Sequence, residues 1–253
     1  MSLVIVTGGA TGIGAAAVRK FADNGYDVAI LDINVEASYA LTQESHPGTI
    51  AFFETDMRNR KAIETSVDKA IDQFGSPEVL FSNAGIWRRC GIFDLADQDV
   101  DDVIDINLKG VLYSVASVVK PMRDAGKGSI VITASDQAFI GKLGSIIYGA
   151  TKGAVGQLTK SLSAELSPLG INMNAVCPAT VRTPLAEHAF EKYAEEAFDG
   201  DQEAAWDAEA KNHPVGRVAQ PEEIANLVFF LSQPEASFMT GGLVPIDGGI
   251  TAQ

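Results

Sequence analysis

Apolar positions along the chain fall into two alternating patterns. Short runs rich in β-branched residues, at 3–6, 28–31, 50–53, 79–81, 130–133, 171–176 and 243–246, read as seven strands. They are apolar almost throughout rather than at every second position, which is the pattern of strands covered on both faces. Between them, helical periodicity predicts helices over 13–23, 58–74, 97–122, 148–166 and 221–231. Gly25, Gly75, Gly126 and Gly170 stand just past helix ends, where a left-handed residue is needed, and Pro221 stands where a first turn tolerates proline. Regular alternation of strand and helix predicts one α/β domain over 1–253, a doubly wound parallel sheet with helices on both faces.

Residues 184–213 break that alternation. Between Glu187 and Glu209 stand nine acidic residues against Lys192 alone. Phe190, Tyr193, Ala194, Ala197 and Phe198 nevertheless keep helical spacing. The segment is expected to be a helical lid whose apolar stripe covers a pocket, its acids forming a solvated face.

Composition narrows the function classes. Hydrophobic residues make up 46% and charged residues 21%, enough for a full core. The formal charge of -14 repels phosphate backbones and anionic lipid, so neither nucleic acid nor a membrane surface is expected as a partner. Cys90 and Cys177 give no disulfide framework and fit a reducing cytoplasm. His46, His188 and His213 lack metal-site spacing, so no metal is expected. Thr7 and glycines follow the apolar run at 3–6 at once, so no signal-peptide core is expected, and no apolar run is of membrane-spanning length.

After the first strand comes Thr7-Gly8-Gly9-Ala10-Thr11-Gly12-Ile13-Gly14, opening directly into a helix. Glycines let the backbone approach a pyrophosphate, and the helix N-terminus offers free N–H groups to it. Gly8, Thr11, Gly12, Ile13 and Gly14 are the expected cradle. Asp32 ends the second strand, placed to accept both ribose hydroxyls of an adenosine half and to repel a 2'-phosphate, so NAD is expected over NADP. Asp56, with Met57 beside it, follows the third strand and is placed either to accept from an adenine amino group or to cap the helix beginning near Arg58.

Tyr148 and Lys152 are four apart and share one helix face. A phenol's reference pKa is ~10, and an ammonium ~4 Å away is worth about 4 kcal/mol at an effective dielectric near 20, roughly three pKa units before desolvation opposes it. The pair is therefore expected to bring the phenol toward neutrality, where it can exchange a proton with an alcohol oxygen as hydride moves at the same carbon.

These residues in this order resemble the short-chain dehydrogenases and reductases. The resemblance rests on 7–14, Asp32, Asp56, Asn83-Ala84-Gly85, Asn107, Ser135, Tyr148-Gly149-Ala150-Thr151-Lys152, 174–183 and Asp247-Gly248-Gly249, and so covers almost the whole chain. It implies a Rossmann-like fold, with Ser135 bonding the substrate oxygen and Lys152 also binding the nicotinamide ribose. Asn107 would hold a water linking the lysine to bulk proton exchange. Asn83, Ala84 and Gly85 resemble the family's cofactor turn. Pro178, Val181 and Thr183 lie in the loop that fixes the carboxamide, although Ala179 stands where the family usually has glycine. The resemblance also implies a homo-oligomer, commonly a tetramer, and Gly149, Gly153 and Gly156 would permit close helix packing.

Pocket candidates by position are Trp87, Arg88, Gln137, Phe139, Leu185 and His188. Gln137 is placed to bond a second substrate hydroxyl, and the stretch 135–183 is similar to sugar and polyol dehydrogenases. A small-molecule sugar, polyol or hydroxy acid is the leading substrate expectation. Arg88 and Arg89 either pair with an anionic substrate or are solvated rim residues. Two alternatives stand beside this reading: a reductase of 3-oxoacyl thioesters on an acyl carrier protein, disfavoured by Asp32 and the negative charge, and a dinucleotide-binding protein without turnover.

Overall fold

Every residue of the run LVIVT is buried, because alternate side chains feed different layers. Leu3 and Ile5 pack with Ile63, Val115 and Val155 on one side, while Val4 and Val6 pack with Val18, Phe21 and Val228 on the other. In the computed structural model, which describes residues 2–253, this run is an inner strand of a parallel sheet, paired along both edges. Its strands are β1 (Leu3–Thr7), β2 (Asp27–Asp32), β3 (Ile50–Glu54), β4 (Pro77–Ser82), β5 (Gly128–Thr133), β6 (Ile171–Pro178) and β7 (Leu243–Ile246). They lie in the order β3-β2-β1-β4-β5-β6-β7, so all seven expected strands form one doubly wound sheet.

The helices are α1 (Gly12–Asp23), α2 (Val35–Thr42), α3 (Arg60–Phe74), α4 (Asp97–Ile104), α5 (Val111–Ala125), α6 (Ile146–Leu166), α7 (Pro184–Ala197), α8 (Gln202–Lys211) and α9 (Pro221–Leu231). α1 and α9 cover one face of the sheet, and α3, α5 and α6 cover the other. Among the described residues no helix is long and apolar enough to cross a membrane.

Three departures from the periodicity have local causes. α2 was not expected, because it buries only Ser38 and Leu41 and is begun by its cap, Asn34, whose side chain accepts from the Ala37 N–H. α3 starts at Arg60 because Asn59, not Asp56, caps it. The long helix expected over 97–122 is interrupted by a π-helical turn, Asp105–Gly110, which contains Asn107; such turns are common at functional sites.

Residues 184–213, the segment expected as a lid, form two helices, α7 and α8, joined through Asp199 and Gly200, both at positive φ. Phe190 and Trp206 stack across them at 4.0 Å. Its acids are not merely a solvated face. Glu196 pairs with Arg89, Glu203 takes a 3.0 Å hydrogen bond from Arg182, and Glu209 accepts from the Thr180 hydroxyl, so the segment is tied to the rest of the chain.

The order of strands reverses between β1 and β4, and loops leaving their carboxyl ends diverge there into a crevice. The glycine loop after β1 is tight. A Cβ on Gly14 would lie 1.9 Å from the Gly8 carbonyl oxygen, a collision with backbone that cannot yield cheaply. Gly14→Ala is expected to lower stability by about 2 kcal/mol or more in urea denaturation; an unchanged midpoint would contradict the loop's closure.

Candidate active site

Loops after β1, β4, β5 and β6, together with α7, enclose a cleft of about 800 Å³. Thr7 Oγ1 accepts from the N–H groups of Asn83 (3.0 Å) and Ala84 (3.2 Å), and Asn83 Nδ2 donates to the Gly8 carbonyl at 3.0 Å. Thr133 Oγ1 donates to Asn83 Oδ1 at 3.0 Å, joining β5 to the same network. The turn Asn83-Ala84-Gly85 is thereby seated on the glycine loop, and all three residues line the cleft.

Gly8, Thr11, Gly12 and Ile13 also line the cleft, and no side chain caps α1. Gly14 does not; it lies behind the loop and lets it close. A Cβ on Gly12 would lie 3.0 Å from the Thr183 methyl carbon, which packs the start of the lid on the loop. Thr183 Oγ1 accepts from Ala186 N at 3.3 Å, so this hydroxyl caps α7.

Asp32 stands at the end of β2 with Oδ2 accepting from Ala10 N and Oδ1 from Asn34 N, each at 2.9 Å. Two backbone donors fix the carboxylate, and each oxygen keeps a further acceptor site. Asp56 and Met57 line the cleft, but Asp56 is committed to the backbone and guanidinium of Arg58, which hold its carboxyl below the usual range. Pro178, Val181 and Thr183 line the cleft too, on a loop clamped by Ala219: Arg182 N donates to Ala219 O, and Ala219 N to Thr180 O. Ala179 replaces glycine there without strain, because among the described residues only Asp199 is a non-glycine at positive φ.

Tyr148 and Lys152 project from the first turns of α6 into the cleft wall. Lys152 Nζ donates to the Thr133 carbonyl at 2.7 Å and sits 5.4 Å from the centre of the Tyr148 ring. Desolvation pushes the ammonium down to about 8 and the phenol up to about 12, the Ser135 hydroxyl pulling the phenol the other way and the Asp136 charge adding to the rise. The pair was expected to bring the phenol toward neutrality; instead the ammonium lies over the ring, bonded to a carbonyl, and desolvation outweighs it.

Asn107 does not line the cleft. Its side chain accepts from Ile86 N and donates to Ile86 O, both at 2.8 Å, and so braces the segment after Gly85.

The substrate candidates divide. Trp87, Arg88 and Gln137 line the cleft, as does Leu185. Trp87 Nε1 donates to Ser145 Oγ at 2.7 Å, leaving its ring as an apolar surface. Gln137 packs its Oε1 against Gly149. Arg88 lies 3.7 Å from Asp99, and Arg89 pairs with Glu196 on the lid. His188 is a correction: its side chain is 90% exposed beside Glu191, because the inward face of α7 runs through Leu185, Ala189 and Tyr193. Phe139 likewise is not part of the wall. Phe190 and Tyr193 of the expected apolar stripe line the cleft, whereas Lys142 and Asp136, which also line it, are not among the residues expected from the sequence. Asp136 is the neighbour of Ser135, and Lys142 reaches the cleft only through the folded loop.

A family model described as enoyl-(acyl carrier protein) reductase matches residues 8–251. The chain is 34% identical to a short-chain reductase protein of Streptomyces niveus, over 98% of its own length and 93% of the relative's. The chain is a short-chain dehydrogenase/reductase. It is also 35% identical to a 3-oxoacyl-[acyl-carrier-protein] reductase of Thermotoga maritima, over 97% of this chain and 96% of that one. Ligand-free aldohexose dehydrogenase of Thermoplasma acidophilum superposes with a TM-score of 0.89 at 33% identity, covering 100% of this chain and 94% of that one. An actinorhodin polyketide ketoreductase variant with NADPH gives 0.93 at 31%, covering 100% and 98%. Short-chain dehydrogenases/reductases bind a nicotinamide dinucleotide, and the cleft of this one fits such a ligand: a glycine loop closed against Gly8, an uncapped helix start, and a fixed carboxylate at the end of β2.

In this dehydrogenase/reductase, burying the Lys152 ammonium costs stability. Its folded pKa is depressed below the unfolded value of 10.5, so the unfolded chain binds more protons between about 8 and 10.5 and the penalty, full below 8, fades as pH rises through that window. Lys152→Met is expected to stabilise the cofactor-free protein by roughly 1–3 kcal/mol at pH 7 and by nothing at pH 10.5, read by denaturant titration. Equal effects at both pH values would contradict the burial of a charge there.

Proposed function

We propose that the protein is an NAD-dependent dehydrogenase of a secondary alcohol or ketone, on a sugar, polyol or hydroxy acid. The observation that carries the cofactor choice is Asp32: its carboxylate is fixed by two backbone N–H groups, and the cleft cation Arg58 is held by Asp56. A 2'-phosphate would meet a negative charge there with no cation to offset it. A small polyhydroxylated substrate is supported by the Trp87 ring and Gln137 in the cleft and by the likeness to an aldohexose dehydrogenase.

The bound dinucleotide would supply the hydride acceptor and, oxidised, a positive charge over the cleft. Gly8, Thr11, Gly12 and Ile13 would hold its pyrophosphate, Asp32 its ribose, and Asn83, Ala84, Gly85, Pro178, Val181 and Thr183 would bound the nicotinamide end. Tyr148 takes the alcohol proton or returns it, Lys152 supplies positive charge beside it, and Ser135 bonds the substrate oxygen. Asn107 acts through Ile86, as a positioning residue. Residues 184–213 form the substrate lid within a single catalytic unit. Reduction of 3-oxoacyl thioesters is a second reading, favoured by the Thermotoga maritima relative, but Asp32 and the -14 charge weigh against an NADPH enzyme serving an acidic carrier. Free, buried Cys90 and Cys177 support a reducing, cytoplasmic setting.

A homotetramer is proposed on narrower grounds than the glycine spacing gave. Gly149 faces Gln137 and Gly156 faces Leu243 within the chain, which leaves Gly153 open on the outer side of α6. Light scattering at micromolar concentration should give a tetramer, and Gly153→Arg a smaller species; a monomeric parent protein would end this proposal.

With a panel of sugars, polyols and hydroxy acids, kcat/KM is expected to be at least about tenfold higher with NAD than with NADP, the cost of roughly 1.4 kcal/mol or more for an unpaired phosphate. Equal rates would contradict the role of Asp32 in choosing the cofactor. Tyr148→Phe should keep dinucleotide affinity and lose turnover by roughly a hundredfold or more; retained turnover would mean that another group handles the proton.

A further inference from the structure

Among the described residues five cations line the cleft, Arg58, Arg88, Arg89, Lys142 and Lys152, and they differ in what already holds them. Arg58 is bonded to Asp56, Arg89 to Glu196 on α7, and Lys152 to the Thr133 carbonyl, while Lys142 Nζ lies 2.7 Å from Asp136 Oδ2. Arg88 is the exception. Its Nη1 donates to the carbonyl of its neighbour Trp87 at 3.2 Å, and its Nε lies 3.7 Å from Asp99, too far for a hydrogen bond. A guanidinium has five N–H donors, so most of this fork has no acceptor among the described residues. With the two side chains 47% and 36% exposed, the Asp99 pair is also worth little and is readily exchanged for another carboxylate.

The backbone that carries Arg88 is pinned on both sides. Trp87 Nε1 donates to Ser145 Oγ at 2.7 Å, and Cys90 N donates to the Gly144 carbonyl at 2.9 Å, with Cys90 itself buried. Ser145 caps α6 three residues before Tyr148, so these two bonds set the backbone of Arg88 at the end of the cleft that holds Tyr148. Asp32 and Asp56 stand at the other end, beyond the glycine loop. An uncommitted guanidinium on a fixed loop beside the reacting group is a ready partner for an anion on the substrate.

We propose that the substrate is a sugar acid, a polyhydroxylated carboxylate, and that Arg88 binds its carboxylate. The inference rests on the dehydrogenase reading and narrows its substrate class. A planar fork meets a carboxylate with two parallel N–H···O bonds, which a lone ammonium does not. The carboxylate takes no part in the redox step and stays ionised throughout: the hydride leaves the carbinol carbon for the oxidised dinucleotide, and the carbinol proton goes to Tyr148. The overall charge of -14 does not oppose such a substrate. Charges beyond about 8–10 Å are screened at physiological ionic strength, so a small anion in the cleft answers to the groups around it, whereas a whole carrier protein meets the field of the surface.

Two measurements test the assignment. The first needs no turnover: gluconate and glucitol, its uncharged counterpart, are titrated calorimetrically into protein saturated with NADH. Gluconate should bind at least about tenfold more tightly, the worth of a hydrogen-bonded charge; Arg88→Met should remove that difference and Arg88→Lys should restore part of it. Equal binding of the two, no binding of gluconate, or a preference that survives Arg88→Met would overturn the proposal. The second follows NADH formation with aldonates and with alditols of equal chain length. kcat/KM should favour the aldonates at least about tenfold, mainly through KM, and Arg88→Met should cut the aldonate value roughly tenfold more than the alditol value. Arg89→Met, which breaks a contact with α7, should instead affect both kinds of substrate alike. Faster turnover of alditols, or a loss in Arg88→Met shared equally by the two kinds, would return Arg88 to a solvated rim residue. If neither kind is oxidised, the dehydrogenase reading fails for these substrates, while the titration still decides whether Arg88 binds a carboxylate.

Discussion

An ammonium is held where water barely reaches it, and much of the molecule is arranged to make that tolerable. Lys152 leaves α6 into the end of β5, where the Thr133 carbonyl accepts its hydrogen bond and the Tyr148 ring covers it. A buried cation without a carboxylate partner is costly. Here the nearest compensation is a single carbonyl, so the lysine gives up proton affinity and the phenol beside it gains proton affinity. The phenol is thus held well above neutrality while the lysine is brought toward it. The positive charge of an oxidised nicotinamide would then be the change that favours the phenolate.

A small number of close approaches ties the fold to the chemistry. The glycine loop closes on itself at Gly14, seats the β4 turn through Thr7 and Asn83, and meets the lid at Thr183. Thr133 belongs to both halves: its hydroxyl bonds Asn83 on the cofactor side, and its carbonyl bonds Lys152 on the chemical side. A shift of β5 would therefore disturb ligand binding and proton affinity together. Residues 184–213 are coupled to the same frame by ion pairs, Glu196 to Arg89 and Glu203 to Arg182, which are exposed and so individually weak.

Much of this was legible in the residues because the parallel sheet buries its strands on both faces, and only such burial makes short β-branched runs apolar at consecutive positions. The glycine loop, Asp32 and the Tyr148 and Lys152 pair were readable for a similar reason: each requires a fixed spacing within one element. What was not legible depended on tertiary placement. α2 has too small an apolar face to announce itself, and the π turn at Asn107 leaves the helical pattern nearly intact. His188 was misjudged because the inward side of α7 is set by packing on Trp206 and the cleft, which the run of residues alone does not specify. The balance between Coulomb attraction and desolvation at Tyr148 depended on where the ammonium points, and a four-residue spacing does not decide that.

Whether Lys152 is a desolvated cation in the cofactor-free protein is tested most directly by following its side-chain nitrogen by NMR through a pH titration, with Lys152→Met to assign the signal. A desolvated ammonium beside one carbonyl should titrate with a midpoint near 8. A midpoint at the ordinary lysine value of 10.5 would contradict it.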